Sequence, residues 1–191
     1  MTHQVEFFYD IVSPYSYLAA VQLEELAQQT DSEILWQPMF LPGLFKLIGN
    51  QPPQTLPERK HYLFEQDLPR MARFLQVPYN KPESFPSNTV YLMRALMSIK
   101  DNRQRMEKSL ALYELYWGEG QDVATDQVIL SVLGEEALEF AKSDQGKAVL
   151  MDNTQRAADK GAFGAPTLFV GDEMFFGCDR IPQLKHHLQR L

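Results

Sequence analysis

The aromatic stretch Val5-Glu6-Phe7-Phe8-Tyr9 stops a few residues short of Ser13-Pro14, and this junction constrains the fold more than any other feature of the chain. A short run rich in aromatic and apolar side chains reads as a strand. Proline is best accommodated in the first turn of a helix, where its missing N–H has no partner to lose, and a serine just before it caps the free amides. The junction therefore predicts a strand feeding a helix from Pro14 to about Gln29, with Leu18, Val21 and Leu26 facing a core. Residues 33–37 (Glu-Ile-Leu-Trp-Gln) read as a second strand, so the chain opens β-α-β.

From about Pro42 to Lys160 the pattern changes. Pro42-Gly43, Gly49-Asn50 and Pro52-Pro53 predict an irregular loop. Helical stretches are then expected over residues 58–75, 88–99, 103–117, 126–133, 135–141 and 145–160, with Thr125 as an N-cap and Gly134 as a stop. Strand character returns at 166–170 and 173–176 around Gly171-Asp172, which predicts a tight hairpin, and a last helix covers about 182–190. The order βαβ, helical block, ββα is that of an α/β thioredoxin-like fold with a large all-helical insertion, as in DsbA-like proteins. Residues 1–42 and 161–191 are expected to form the thioredoxin-like part and 43–160 the insertion, in one compact unit.

Composition narrows the partners. The chain has 191 residues, 45% of them apolar, enough for such a core. A net charge of −7 and a pI of about 5.1 exclude a general attraction to nucleic acid or to an anionic membrane. An anionic ligand must be held by a local pocket. No apolar run approaches the ~20 residues of a membrane span. Met1-Thr2-His3-Gln4 lacks the basic, then apolar, start of a signal peptide, so a cytoplasmic location is expected. Cys178 is the single cysteine, which excludes an intrachain disulfide and a cysteine-based zinc site. His3, His61, His186 and His187 show no ligand spacing, and no metal site is expected.

A thiol redox protein of this fold places Cys-x-x-Cys where this chain has Ser13-Pro14-Tyr15-Ser16. A serine hydroxyl is not a redox couple, so disulfide exchange is excluded here. The setting still suits an anion, because a helix start offers free N–H groups and partial positive charge. Ser13 adds one hydrogen bond. The natural guest is a cofactor thiolate. A free thiol titrates at about 8.5, and lowering that by ~2 units takes ~2.7 kcal/mol, which a charge-assisted hydrogen bond and the helix start can supply. On local spacing alone Ser13 also reads as a plain N-cap. A second segment, Gly161-Ala162-Phe163-Gly164-Ala165-Pro166-Thr167, precedes the hairpin. In thioredoxin-like folds a proline opening that strand is cis and lies against the active-site helix, leaving the backbone of the preceding residue, Ala165, free to pair with a peptide. An ordinary trans X-Pro turn is the alternative.

The ordered set Ser13-Pro14-Tyr15-Ser16-Tyr17-Leu18-Ala19, Gly49-Asn50, Asp67-Leu68-Pro69-Arg70, Phe163-Gly164-Ala165-Pro166-Thr167 and Phe176-Gly177-Cys178-Asp179-Arg180 resembles the 2-hydroxychromene-2-carboxylate isomerase family, relatives of kappa-class glutathione transferases and DsbA-like oxidoreductases. The resemblance runs from about residue 4 to 189. It implies glutathione as cofactor, a homodimer, and cis–trans isomerisation of an aromatic ring-fission acid by reversible addition of the glutathione thiolate. Ser13, ahead of Pro14, matches the serine that activates the thiol. Ala165 and Pro166 match the pair that holds the cysteinyl backbone. Phe176, Gly177, Cys178 and Asp179 match the stretch that receives the γ-glutamyl end, with Asp179 on its ammonium group and Arg180 orienting that carboxylate or closing the loop. Lys46 and Asn50 match the loop lining the site, and Lys46 is expected to attract a substrate carboxylate. Phe40, Phe85 and Trp117 are candidates for an apolar substrate wall, although for any one of them plain core packing is the commoner role. Cys178 reads as a buried inert thiol or as a partner for a mixed disulfide. Tyr15 and Tyr17 are expected to pack, and Asp67 and Arg70 to pair on a helix surface. Two other functions stay open: a kappa-type glutathione transferase or peroxidase, and a redox-inactive protein that binds glutathione or peptides.

Overall fold

Strand β1 (His3–Tyr9) lies inside a four-stranded sheet of order β2-β1-β3-β4, in a computed structural model that describes residues 2–191. β2 (Ser32–Pro38) runs parallel to it, His3 opposite Ser32 through Tyr9 opposite Pro38, and a parallel pair needs the crossover that helix α1 (Pro14–Thr30) provides. β3 (Thr167–Val170) and β4 (Glu173–Phe176) form a hairpin whose turn places Gly171 at φ 58°. β3 lies antiparallel to β1, with Phe7 opposite Leu168. Helix α10 (Ile181–Leu188) follows and packs on α1. Both expected halves thus share one sheet, and the chain has the thioredoxin-like α/β fold.

Alternation along β1 divides the core. Val5, Phe7 and Tyr9 face one side, where Trp36, Leu168, Leu18, Leu96 and Tyr113 complete a large apolar cluster. Phe8 faces the other, with Phe169, Met39, Leu44, Ala157 and Ala162. That second side is covered by helix α2 (Leu41–Ile48) and by α9 (Asp144–Asp159). Glu6 fixes α9 from the sheet, pairing with Arg156 and Lys160, and the two cations lie over the Phe8 and Phe169 rings. Those pairings hold the Glu6 carboxyl below its ordinary range against the opposing effect of burial.

The insertion is helical, as expected. α3 (Pro57–His61) and α4 (Leu68–Leu75) are joined by a π-helical turn, Tyr62–Asp67. The widened turn makes room for Pro69, which cannot donate to the preceding turn. α5 (Val90–Ser98) and α6 (Asn102–Tyr113) follow, and α6 runs on into a second π-helical turn, Glu114–Gly118. α7 (Asp126–Leu133) and α8 (Glu135–Lys142) precede α9. Thr125 caps α7 through the Val128 amide, and Gly134 ends it at φ 93°.

One expectation is corrected. Pro42-Gly43 does not open an irregular loop but lies in the first turns of α2. Proline costs nothing there. Gly43 is a packing requirement, since a Cβ at that position would meet the Phe40 ring at 2.9 Å. The irregular segment starts only at Gly49. The division placed at 42/43 therefore falls inside α2.

Candidate active site

The site is assembled where β1 ends. Ser13 caps α1 in extended conformation (φ −86°, ψ 114°), its Oγ accepting the Ser16 amide at 3.2 Å. The Ser16 and Tyr17 amides also reach the Ser13 carbonyl. Pro14 has no N–H, which leaves Tyr15 as the first donor of the helix without an intrahelical partner. The same Ser13 Oγ donates to the Ala165 carbonyl at 3.0 Å, across the gap between the helix start and the strand that Pro166 opens. The Ala165–Pro166 peptide is cis, as expected for this fold. Ser13 is only 4% exposed. Ser16, where a redox protein keeps its second cysteine, is fully buried, and its hydroxyl finds no hydrogen-bond partner among the described residues.

The hairpin side supplies the rest of the rim. The Gly177 amide donates to the Pro166 carbonyl at 3.1 Å, which holds residues 177–180 beside the cis bond. Gly177 sits at φ 107° and ψ 151°, where a side chain is disfavoured, and an added Cβ would lie 2.6 Å from Asp179 Oδ1. Asp179 and Arg180 are exposed and pair at 2.8 Å. Phe176 packs at a tilt against Phe163, ring centroids 4.4 Å apart, and presses on Gly164, where a Cβ would come within 2.8 Å of its ring. Asn50 donates from Nδ2 to the Phe163 carbonyl at 2.9 Å and so ties the loop after α2 to the segment before Pro166. A shallow cleft of about 400 Å³ opens there, lined by Ile48, Asn50, Ala158 and Phe163 among others. Lys46, in the last turn of α2, is exposed and makes no ion pair among the described residues.

Behind Ser13 lies a network that the sequence does not announce. Asp10 is fully buried. Its Oδ1 accepts the Thr89 hydroxyl at 2.7 Å and the Val12 amide at 3.1 Å, and its Oδ2 accepts the Leu41 amide at 2.9 Å. Burial pushes this carboxyl up to about 6, and those hydrogen bonds oppose the shift. The Asp10 carbonyl accepts the Ser13 amide at 3.0 Å and the Tyr113 hydroxyl at 3.2 Å. Along one face of α6 and its π-helical turn, Arg105 donates to the Trp36 carbonyl (3.0 Å), Ser109 meets the Tyr9 hydroxyl (2.6 Å), Tyr113 reaches Asp10, and Trp117 Nε1 donates to the Ile11 carbonyl (2.9 Å). A spacing of four residues is one helical face, so this helix grips the strand end that presents Ser13.

That grip decides between the two readings of Trp117. Trp117 is fully buried with its N–H committed to Ile11, so it belongs to the core. Phe85, half-buried, packs between Trp117 and Phe64 in the same aromatic cluster. Phe40 is half-buried beside Gly43, its amide bonded to Thr154. Cys178 is 2% exposed, and burial, with Asp179 and Asp67 nearby, pushes its thiol up to about 12. Of its two readings, the structure selects the inert thiol. Asp67 stands 3.9 Å from Arg70 and takes a closer bond from Tyr15, at 2.6 Å. Burial and that carboxylate hold the Tyr15 phenol far above its ordinary value, so it stays protonated.

Comparison with known proteins identifies the chain's relatives. The chain is 32% identical to 2-hydroxychromene-2-carboxylate isomerase of Sphingobium xenophagum over 98% of its length and 99% of the relative's. It is 31% identical to glutathione S-transferase kappa 1 of Homo sapiens over 96% and 90%. A solved structure of 2-hydroxychromene-2-carboxylate isomerase superposes with a TM-score of 0.87 at 27% identity, covering 98% of this chain and 95% of that one. The model of the DSBA-like thioredoxin domain matches residues 4–189. The chain therefore belongs to the DSBA-like thioredoxin domain family, among the relatives that include 2-hydroxychromene-2-carboxylate isomerases and kappa-class glutathione transferases.

Proposed function

We propose that this chain is a glutathione-dependent isomerase of 2-hydroxychromene-2-carboxylate or a related unsaturated ring-fission acid, with Ser13 activating the thiol. The observation that carries the reading is the Ser13 hydroxyl, set at the start of α1 and bonded to the carbonyl of the residue before Pro166. The donor set fits a cysteinyl tripeptide: a hydroxyl and a free Tyr15 amide for sulfur, the Ala165 carbonyl for a backbone N–H, and the exposed Asp179 carboxylate for an ammonium group. When bound, glutathione supplies a thiolate nucleophile that adds to a conjugated double bond and leaves again.

The chain's own residues prepare this by exchanging partners. Ser13 spends its one proton on Ala165 in the structure. Rotation of the hydroxyl turns that proton toward sulfur, and the Ala165 carbonyl becomes available to a peptide N–H. Hydrogen bonds are exchanged rather than lost, and the new one to an anion is roughly twice as strong as a neutral one. Ser13 Oγ keeps the Ser16 amide throughout, so the oxygen stays in place as its proton turns. Lys46, exposed in the last turn of α2 four residues before Asn50, attracts a substrate carboxylate, while the cleft beside Asn50 receives a flat ring. Dependence on reduced glutathione suits a reducing compartment such as the cytoplasm.

The experiment is ultraviolet titration of the glutathione complex at the thiolate band. The bound thiol is expected to titrate ~2 units below the free value of about 8.5, and Ser13→Ala is expected to abolish most of that shift. A complex that titrates like free glutathione overturns the reading. The kappa-class relatives favour transfer as a second reading. Incubation with an unsaturated ring-fission acid separates the two: isomerisation conserves glutathione, and transfer consumes it in a stable conjugate.

A further inference from the structure

We infer that Asp10 is a positioning residue for Ser13: its carboxylate, bonded to Val12, Thr89 and Leu41, sets the turn that aims the Ser13 hydroxyl at a bound thiol. The inference rests on the proposed role of Ser13. Asp10 stands three residues before it and meets three elements at once: the Asp10–Ser13 turn, the first residue of α2, and the residue preceding α5. Its own carbonyl accepts the Ser13 amide, so side chain and backbone of one residue fix both ends of the turn. Tyr113 and Trp117 hold the Asp10 and Ile11 carbonyls from α6 and its π-helical turn. The Asp10 and Ile11 carbonyls and the Val12 and Ser13 amides are thereby committed before a ligand arrives.

The chemistry requires a carboxylate. The donors converging on it are two backbone N–H groups, one on each oxygen, and a hydroxyl. Asparagine presents one oxygen and one NH₂. In either orientation its NH₂ faces a backbone N–H, of Val12 or of Leu41, and leaves that buried donor unpaired. The hydroxyl of Thr89 can rotate to accept, but an amide cannot. The turn then relaxes, and a hydroxyl displaced by an ångström loses much of a geometry-dependent contact.

The test is titration of bound glutathione at the thiolate band in wild type, Asp10→Asn and Thr89→Val. Thr89→Val removes a single donor with nearly unchanged shape, and keeps the question answerable if Asp10→Asn does not fold. Asp10→Asn is expected to raise the bound thiol's pKa by about one unit, from about 6.5 to about 7.5, which cuts the thiolate present near neutrality about threefold, and Thr89→Val to raise it by about half as much. A merely structural role predicts lower melting temperatures with the titration unmoved in every folded variant; that result overturns the inference and leaves the Ser13 reading standing. A wild-type complex that titrates like free glutathione removes the Ser13 reading, and the inference with it.

Discussion

Replacing Trp117 by phenylalanine tests the grip on the Ser13 turn most simply. The indole N–H is the donor to the Ile11 carbonyl at 2.9 Å, and the ring is fully buried. Phenylalanine keeps an aromatic ring but removes the donor, and a buried carbonyl left unpaired costs about 1–3 kcal/mol. The lost part of the indole leaves a void that adds about 1 kcal/mol. Trp117→Phe is therefore expected to cost about 2–4 kcal/mol. The control stacks on the same ring: Tyr79 lies parallel to Trp117 at 6.0 Å, and its hydroxyl is buried without a hydrogen-bond partner among the described residues. Tyr79→Phe removes an unsatisfied group and is expected to be neutral or stabilising by up to about 1 kcal/mol. Urea unfolding reads both. With a slope of about 2 kcal/mol/M, the tryptophan variant should lose about 1–2 M in midpoint while the tyrosine variant holds or gains. Equal midpoint shifts in the two variants would refute the reasoning, because ring packing rather than the Ile11 bond would then account for Trp117.

Three further outcomes follow from the same contacts. Asp10 has its carboxyl raised from 3.8 to about 6. The stability it contributes is full below the unfolded value and lost as pH rises through about 6, so wild type should gain about 1 kcal/mol relative to Asp10→Asn on going from about pH 7 to about pH 5, read by urea unfolding. A difference that stays flat or falls contradicts the raised value. Gly177→Ala meets both an unfavourable backbone conformation and the Asp179 carboxylate, and should cost about 1–3 kcal/mol and weaken glutathione binding measured by calorimetry; unchanged affinity would separate this turn from the ligand. Cys178, buried and protonated, should react with a thiol reagent only as the protein unfolds, and rapid labelling of the native state would refute its inert role.

Much of this architecture is legible in the chain because its signals are local. Ser13-Pro14 marks the start of α1 within one turn, and Gly171-Asp172 marks the hairpin, since a cap and a tight turn depend on adjacent residues. Pro42-Gly43 misleads because a residue type stands for two situations: the sequence cannot show that the Phe40 ring occupies the space above Gly43. The ordered motifs point to the segments around Pro166, where the Gly177 amide and the Asn50 side chain bond neighbouring carbonyls. The role of Asp10 is not legible in the sequence because its partners lie 2, 31 and 79 residues away. One signal was present: a carboxylate at the end of an apolar strand, where burial demands donors. Trp117 keeps two readings in the sequence because aromatic residues line pockets and cores alike, and only the commitment of its N–H decides between them.

The most direct test is a crystal structure of the protein with glutathione. The account predicts the sulfur within hydrogen-bond distance of Ser13 Oγ, with the Ala165 carbonyl released from Ser13 and accepting the cysteinyl N–H instead. Sulfur directed elsewhere, with the Ser13–Ala165 bond still closed, would contradict it.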